Sequence, residues 1–133
     1  MPQHGAVFLR RDGNVGYVLN PCTDEVTVMQ TEPPKKIDNL DAGKKVHEIV
    51  RLPAGDLVVV LSDSGARVFD MATNAVVSEA PTSGGPARIA FSADRGRFWI
   101  SGDGAVHVLD GKSGKVLSTS KAFKRPSEVL VAR

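Results

Sequence analysis

Three histidines, one cysteine and a lysine-bearing glycine loop are the residues of this chain that could do chemistry, and their spacing decides what they can do. His4, His47 and His107 stand at no metal-ligand spacing. His107 alternates out of phase with Val106 and Val108, which puts it on the opposite face of a strand from them. A surface or part-buried imidazole is expected there, not a ligand. Cys22 is the single cysteine and has no histidine near it in a recognisable motif, so it reads as an inert thiol. A phosphate loop requires G-x-x-x-x-G-K-[ST] opening a helix. Gly111-Lys112-Ser113-Gly114-Lys115 has the wrong spacing, with Val116 where the magnesium-holding hydroxyl belongs. It reads as a hairpin turn. Asp103-Gly104 and Asp110-Gly111 fail the spacing of a calcium loop in the same way. Asp70 and Asp110 occupy matching strand ends a whole repeat apart, so they are not a catalytic pair. Their expected task is an Asx-type hydrogen bond to backbone N–H groups of the following turn. No catalytic, metal or cofactor-binding residue is assigned, no cofactor is expected, and the chain is expected not to be an enzyme.

The elements that carry these residues are organised by a repeat. Ile89 to Lys115 contains three alternating runs, Ile89/Phe91, Phe98/Ile100 and Val106/Val108, separated by Arg95-Gly96, Asp103-Gly104 and Ser113-Gly114. A period of two marks strands with one face buried more deeply than the other, and Gly tolerates the positive φ of tight hairpin turns. A looser copy lies about forty residues earlier, Ile49 to Ala75, in which Asn74 stands where Gly114 stands. Asn is the commonest non-Gly residue in that left-handed conformation. A third, weaker copy runs from Ala6 to Lys35. There Pro34 falls at the Asn74/Gly114 position, and proline's locked φ forbids the same turn. A different and longer turn through Thr31–Lys35 is expected.

A period of about forty residues, each unit being four short strands, is the signature of a β-propeller blade. The units resemble propeller repeats of the YVTN or WD40-like kind. Phe91-Ser92-Ala93-Asp94, Val106-His107-Val108-Leu109-Asp110 and Ser113-Gly114-Lys115-Val116 carry the likeness. No Trp-Asp dipeptide closes a third strand and no Gly-His opens a blade, so the YVTN-like reading fits better. The expected architecture is a single all-β domain, 1–133, forming a partial β-propeller of about three four-stranded antiparallel blades plus one extra strand. Blade one covers 5–43, blade two 46–85 and blade three 87–125, and a further strand begins at 128–132. Strands are expected at Ala6–Arg10, Val15–Leu19, Val26–Gln30 and Lys36–Leu40, then Glu48–Leu52, Leu57–Ser62, Arg67–Asp70 and Val76–Glu79. The third set is Arg88–Phe91, Arg97–Ser101, Val106–Asp110 and Val116–Ser120. Leu57-Val58-Val59-Val60-Leu61 is apolar without alternation, which places it in a middle blade buried on both faces. The polar Lys36–Leu40 run suits an outer edge.

The apolar fraction of 41% suits a globular chain, and the low aromatic content of 5% leaves packing to Val, Leu and Ile. No apolar run approaches the ~18 residues that span a bilayer, and the first residues lack a secretory pattern. A cytoplasmic location is therefore expected, without membrane association. A formal net charge of +2 is too small to demand a polyanionic partner.

Closed propellers take about four to eight blades, so a three-blade arc leaves two apolar sheet faces to be covered. Self-association, a partner protein or further blades would cover them, and the expected role is a protein-interaction or scaffold module. One alternative, implied by the YVTN-like resemblance, is a fragment of a propeller enzyme of the lactonase or quinoprotein sort. Phe8, Val50 and Ile89, which would line its channel, are apolar. A second alternative is anion, nucleic-acid or ribonucleoprotein binding. It rests on the inter-blade connections, where Lys44, Lys45, Arg88, Lys124 and Arg125 form a candidate interaction rim with few acids. Arg10-Arg11 and Arg95/Arg97 make the opposite rim basic too, and only Phe123 supplies a stacking aromatic beside the cations.

Overall fold

The computed structural model describes residues 7–19, 25–53, 56–83 and 86–120. All of their regular structure is β. The strands are β1 (Val7–Leu9), β2 (Val15–Leu19), β3 (Glu25–Thr31), β4 (Pro34–Asp41), β5 (Glu48–Arg51), β6 (Leu57–Ser62), β7 (Gly65–Asp70), β8 (Ala75–Pro81), β9 (Arg88–Phe91), β10 (Arg97–Gly102), β11 (Ala105–Asp110) and β12 (Val116–Ser120). They form three antiparallel meanders, β1-β2-β3-β4, β5-β6-β7-β8 and β9-β10-β11-β12. Each sheet has a register shift between its third and fourth strands, at Val28/Met29, Val68/Phe69 and Val108/Leu109. The three bulges fall at equivalent positions, so the repeat extends to backbone irregularities. The strands expected at Val15–Leu19, Leu57–Ser62, Arg88–Phe91 and Val116–Ser120 have those bounds, and the others differ by one or two residues at their ends. The leading strand expected at 128–132, together with His4 and Cys22, lies outside the described residues.

The sheets stack with β5–β8 in the middle. Val58 and Val60 of β6 share one core with Tyr17, Val26 and Val28 of the first sheet. Val59 and Leu61, pointing the other way, share a second core with Phe98, Ile100 and Leu109 of the third. All four β6 side chains are completely buried, each worth about 1.5–3 kcal/mol relative to exposure. That explains the missing alternation: a strand covered on both faces has no polar side to write. The last strands are the opposite case. β12 is exposed throughout and β4 everywhere but Leu40. The short first strands, of three or four residues, therefore make the inner edge of the stack.

Two turns test the reading of the punctuation. Asn74 and Gly114 both adopt positive φ, 60° and 74°, so the substitution between copies preserves the turn. Glycine is required at 114 for a further reason, because a Cβ there would lie 2.7 Å from Val68 Cγ1 of the middle sheet. The turn in the first copy differs from expectation. It is not longer but tight: Thr31 pairs with Pro34, leaving only Glu32 and Pro33 between strands, joined by a cis bond. Pro34 opens an edge strand, where a missing N–H is tolerated, so no left-handed residue is needed at its position. Gln30 Nε2 donates to the carbonyls of Glu32 and Pro33 across this turn.

Candidate functional site at the connection rim

The connections between sheets and the turns between second and third strands meet at one end of the stack. The Asp63 N–H donates to Lys44 O (2.7 Å) and the Lys44 N–H to Ser64 Oγ (3.1 Å). One blade on, the Ser83 N–H and hydroxyl both donate to Asp103 O. Gly43 makes the first of these approaches possible, since a Cβ would fall 2.3 Å from Ser62 Oγ. Lys44 and Lys45 stand exposed on the connection from β4 to β5, Lys45 with φ of 54°. Arg88 is the exposed first residue of β9, opposite Ser101. Three members of the expected basic rim thus share one end of the molecule, and Lys124 and Arg125 lie outside the described residues.

The geometry adds what a linear reading of the connections missed. Asp63 and Asp103 come from hairpin turns, not connections, yet touch the connections directly. The few acids expected of the connections are joined at this rim by those of the hairpin turns, and its charge is mixed. Glu48 also belongs here. Ile49 and Ile89 pair with the equivalent Val60 and Ile100, which makes exposed Glu48 and Arg88 equivalent first residues of adjacent inner strands. A carboxylate and a guanidinium thus stand at corresponding points of the inner edge. Superposing the two copies on Ile49 and Ile89 is the signal that finds them.

Arg67 is a cation of this end with its partners supplied. It donates to the Asp41 carbonyl (2.8 Å), lies 3.2 Å from the Asp41 carboxylate and 3.0 Å from Glu79. A shallow hollow beside it is lined by Ser62, Ser64, Arg67, Glu79 and Pro81. His107 holds the matching place one blade on. It is buried, deeper than the surface or part-buried imidazole expected, and it faces away from Val106 and Val108. The Pro81 carbonyl, 2.6 Å from Nε2, can only accept, so Nε2 carries the proton. Thr119 Oγ1 lies 2.9 Å from Nδ1. That imidazole ties two sheets together.

The opposite rim is built of closed polar turns. The Ala72 N–H donates to Asp70 and the Lys112 N–H to Asp110, the Asx geometry the strand-end acids lead one to expect. The Ser113 hydroxyl and the Lys112 N–H hold the Asp110 carboxyl below its ordinary value. The Gly96 N–H and Ser92 hydroxyl do the same for Asp94, as does the Arg10 guanidinium for Asp12. Arg95 lies over the Phe91 ring at 4.9 Å. Among the described residues no three His, Cys, Asp or Glu side chains group as a metal site, and no helix is long and apolar enough to cross a membrane.

No family model matches the sequence, and no curated protein matches it. Many solved structures match its fold. Hydrazine synthase of Kuenenia stuttgartiensis aligns over 93% of this chain at 17% identity, with a TM-score of 0.61. The periplasmic gluconolactonase of Pseudomonas aeruginosa aligns over 90% at 18% identity, with a TM-score of 0.61. A Bacteroides fragilis protein assigned as a 6-phosphogluconolactonase aligns over 90% at 15% identity, with a TM-score of 0.60. The chain spans 36%, 40% and 39% of those chains respectively. These are propeller-type proteins, and the likeness shows the fold: an all-β partial β-propeller whose three sheets are blades. The expectation that the chain is not an enzyme is corrected by the same finding. The solved proteins that share its fold are named as enzymes.

Proposed function

We propose that this chain supplies three blades of a propeller enzyme of the lactonase kind, with the connection rim facing the substrate. The supporting observation is the match of nine-tenths of the chain in fold to a gluconolactonase and to a protein assigned as a 6-phosphogluconolactonase. The mixed charge of the rim agrees with that reading. Lactone hydrolysis requires a base to take a proton from the attacking water while the ring C–O bond breaks, and the product is an acid. On this reading Arg88, at the inner edge, and Lys44, on the connection rim, are the cations that hold a carboxylate or phosphate. Glu48 is the carboxylate at the same inner edge that can accept a proton. Other groups of the site come from the blades that complete the ring. Fold alone assigns no activity, so the test is direct.

Proton release from gluconolactone and from its 6-phosphate would be followed with the purified natural protein. Acceleration over spontaneous hydrolysis is expected. Arg88→Met is expected to raise KM for the phosphorylated lactone about tenfold, equivalent to about 1.4 kcal/mol, and Glu48→Gln to lower kcat. A folded protein that accelerates neither hydrolysis would overturn the proposal.

A further inference from the structure

Both internal interfaces of the stack are made from the same parts. A residue in the middle of the third strand reaches back to the last carbonyl of the preceding blade's outer strand: Arg67 to Asp41, and His107 to Pro81. A cross-strand neighbour steadies each, Glu79 for Arg67 and Thr119 for His107. A hydroxyl of the preceding blade then bonds the third turn of the following one. Tyr17 donates to Asn74 Oδ1 (2.8 Å), and Ser78 to the Gly114 carbonyl. Side-chain sizes also alternate across the joints. The large Tyr17 shares its core with Val58, and the smaller Val59 shares its core with Phe98.

The two outer faces carry the halves of one more such joint. Ladder positions place Trp99 on the outer face of the third blade as the counterpart of Tyr17 and Val59. Half-buried Val106 and Val108 accompany it, and Ser118 takes the place of Ser78. On the outer face of the first blade, Gly16 is the counterpart of Val58 and Phe98, and Thr27 that of Arg67 and His107. Val7 and Leu9 beside it are 60% and 46% exposed, an apolar surface of the kind that meets a partner. The largest side chain of one face thus corresponds to the position without a side chain on the other.

We infer that the outer face of the third blade seats on the outer face of the first blade in a second copy of this chain, with Trp99 over Gly16. Each chain offers both halves, so a twofold axis along the channel closes the contact twice and completes a six-bladed ring. The inference rests on the blade fold and not on lactone chemistry; a dimer without turnover would refute only the latter.

Light scattering on the purified chain reads it directly. A mass of twice 14.1 kDa is expected, and dilution should shift the emission of Trp99, the single tryptophan, to the red as the ring opens. Trp99→Asp and Gly16→Leu should each halve the mass at concentrations where the parent chain is a dimer, with the β circular dichroism retained. Gly16 is buried, but a Cβ there would meet the end of exposed Leu9 at 3.1 Å and that of Val7 at 3.6 Å, side-chain ends that can swing aside in the monomer. A monomer at every concentration, an open-ended polymer, or a dimer indifferent to both substitutions would overturn the inference. The dilution series on the parent chain needs no variant to fold.

Discussion

Tyr17 is the residue on which the first joint of the stack turns. It is completely buried, it is the only tyrosine, and its hydroxyl donates to Asn74 across the blade boundary. Burial pushes its ionisation up, reinforced by the charges of Asp70 and Asp38. A phenol whose folded value is raised stabilises the fold fully below the free value of 10.0 and loses that contribution as pH rises through the folded one. Tyrosinate absorbance should therefore appear only together with unfolding, above the free value. Free titration in an intact β spectrum would contradict this. Tyr17→Phe should cost about 1 kcal/mol in urea unfolding, the net worth of one hydrogen bond. The turn carboxylates have the opposite sign. Asp110, Asp94 and Asp12 are held below the ordinary 3.8 by the Ser113 hydroxyl, the Gly96 N–H and the Arg10 guanidinium respectively. Their contribution is present above the ordinary value and is lost as pH falls through the folded ones. Ser113→Ala should move the Asp110 titration, followed by carboxyl NMR, back toward the ordinary value while leaving Asp94 where it is.

At the scale of elements, two glycines separate backbone strain from collision. Gly13 and Gly114 share a φ near 75°, but a Cβ on Gly13 meets nothing within 4 Å, whereas one on Gly114 strikes Val68. Gly13→Ala should cost about 1–2 kcal/mol, the left-handed penalty alone. Gly114→Ala should cost about 1–3 kcal/mol more, read as the difference between the two urea midpoints. Equal losses would mean the third blade does not press on the second as described. The sequence made much of this legible, because it depends on local pattern: alternation marked the strands, Asn74 and Gly114 marked equivalent turns, and the unbroken Leu57–Leu61 run marked the sandwiched strand. What it hid was set by other blades. The partner of His107 is Pro81, 26 positions away in another sheet, so alternation gave the correct face but not its burial. Pro34 opens a strand where the repeat sets a turn residue, because counting from the third strand ignores how short a turn proline can close. Asp63 and Asp103 were invisible as rim residues, since their turns reach that rim only through folding.

At the scale of the whole molecule, three blades stack and repeat one kind of joint, with charges of both signs at the connection rim. Under the proposed function, the stack would divide the site between blades, with Glu48 and Arg88 at equivalent points of neighbouring inner strands. It also orders the strands by protection: β6 lies between two cores, and β4 and β12 lie against solvent. Amide hydrogen exchange resolved by strand is the measurement that tests the stack most directly. Val58–Leu61 should exchange slowest among the described residues, near the rate of global opening, and the solvent-side amides of Val116–Ser120 and Lys35–Asn39 far faster. Protection in β6 no greater than in β12 would mean that the middle sheet is not enclosed by its neighbours, and the propeller reading would fall with it.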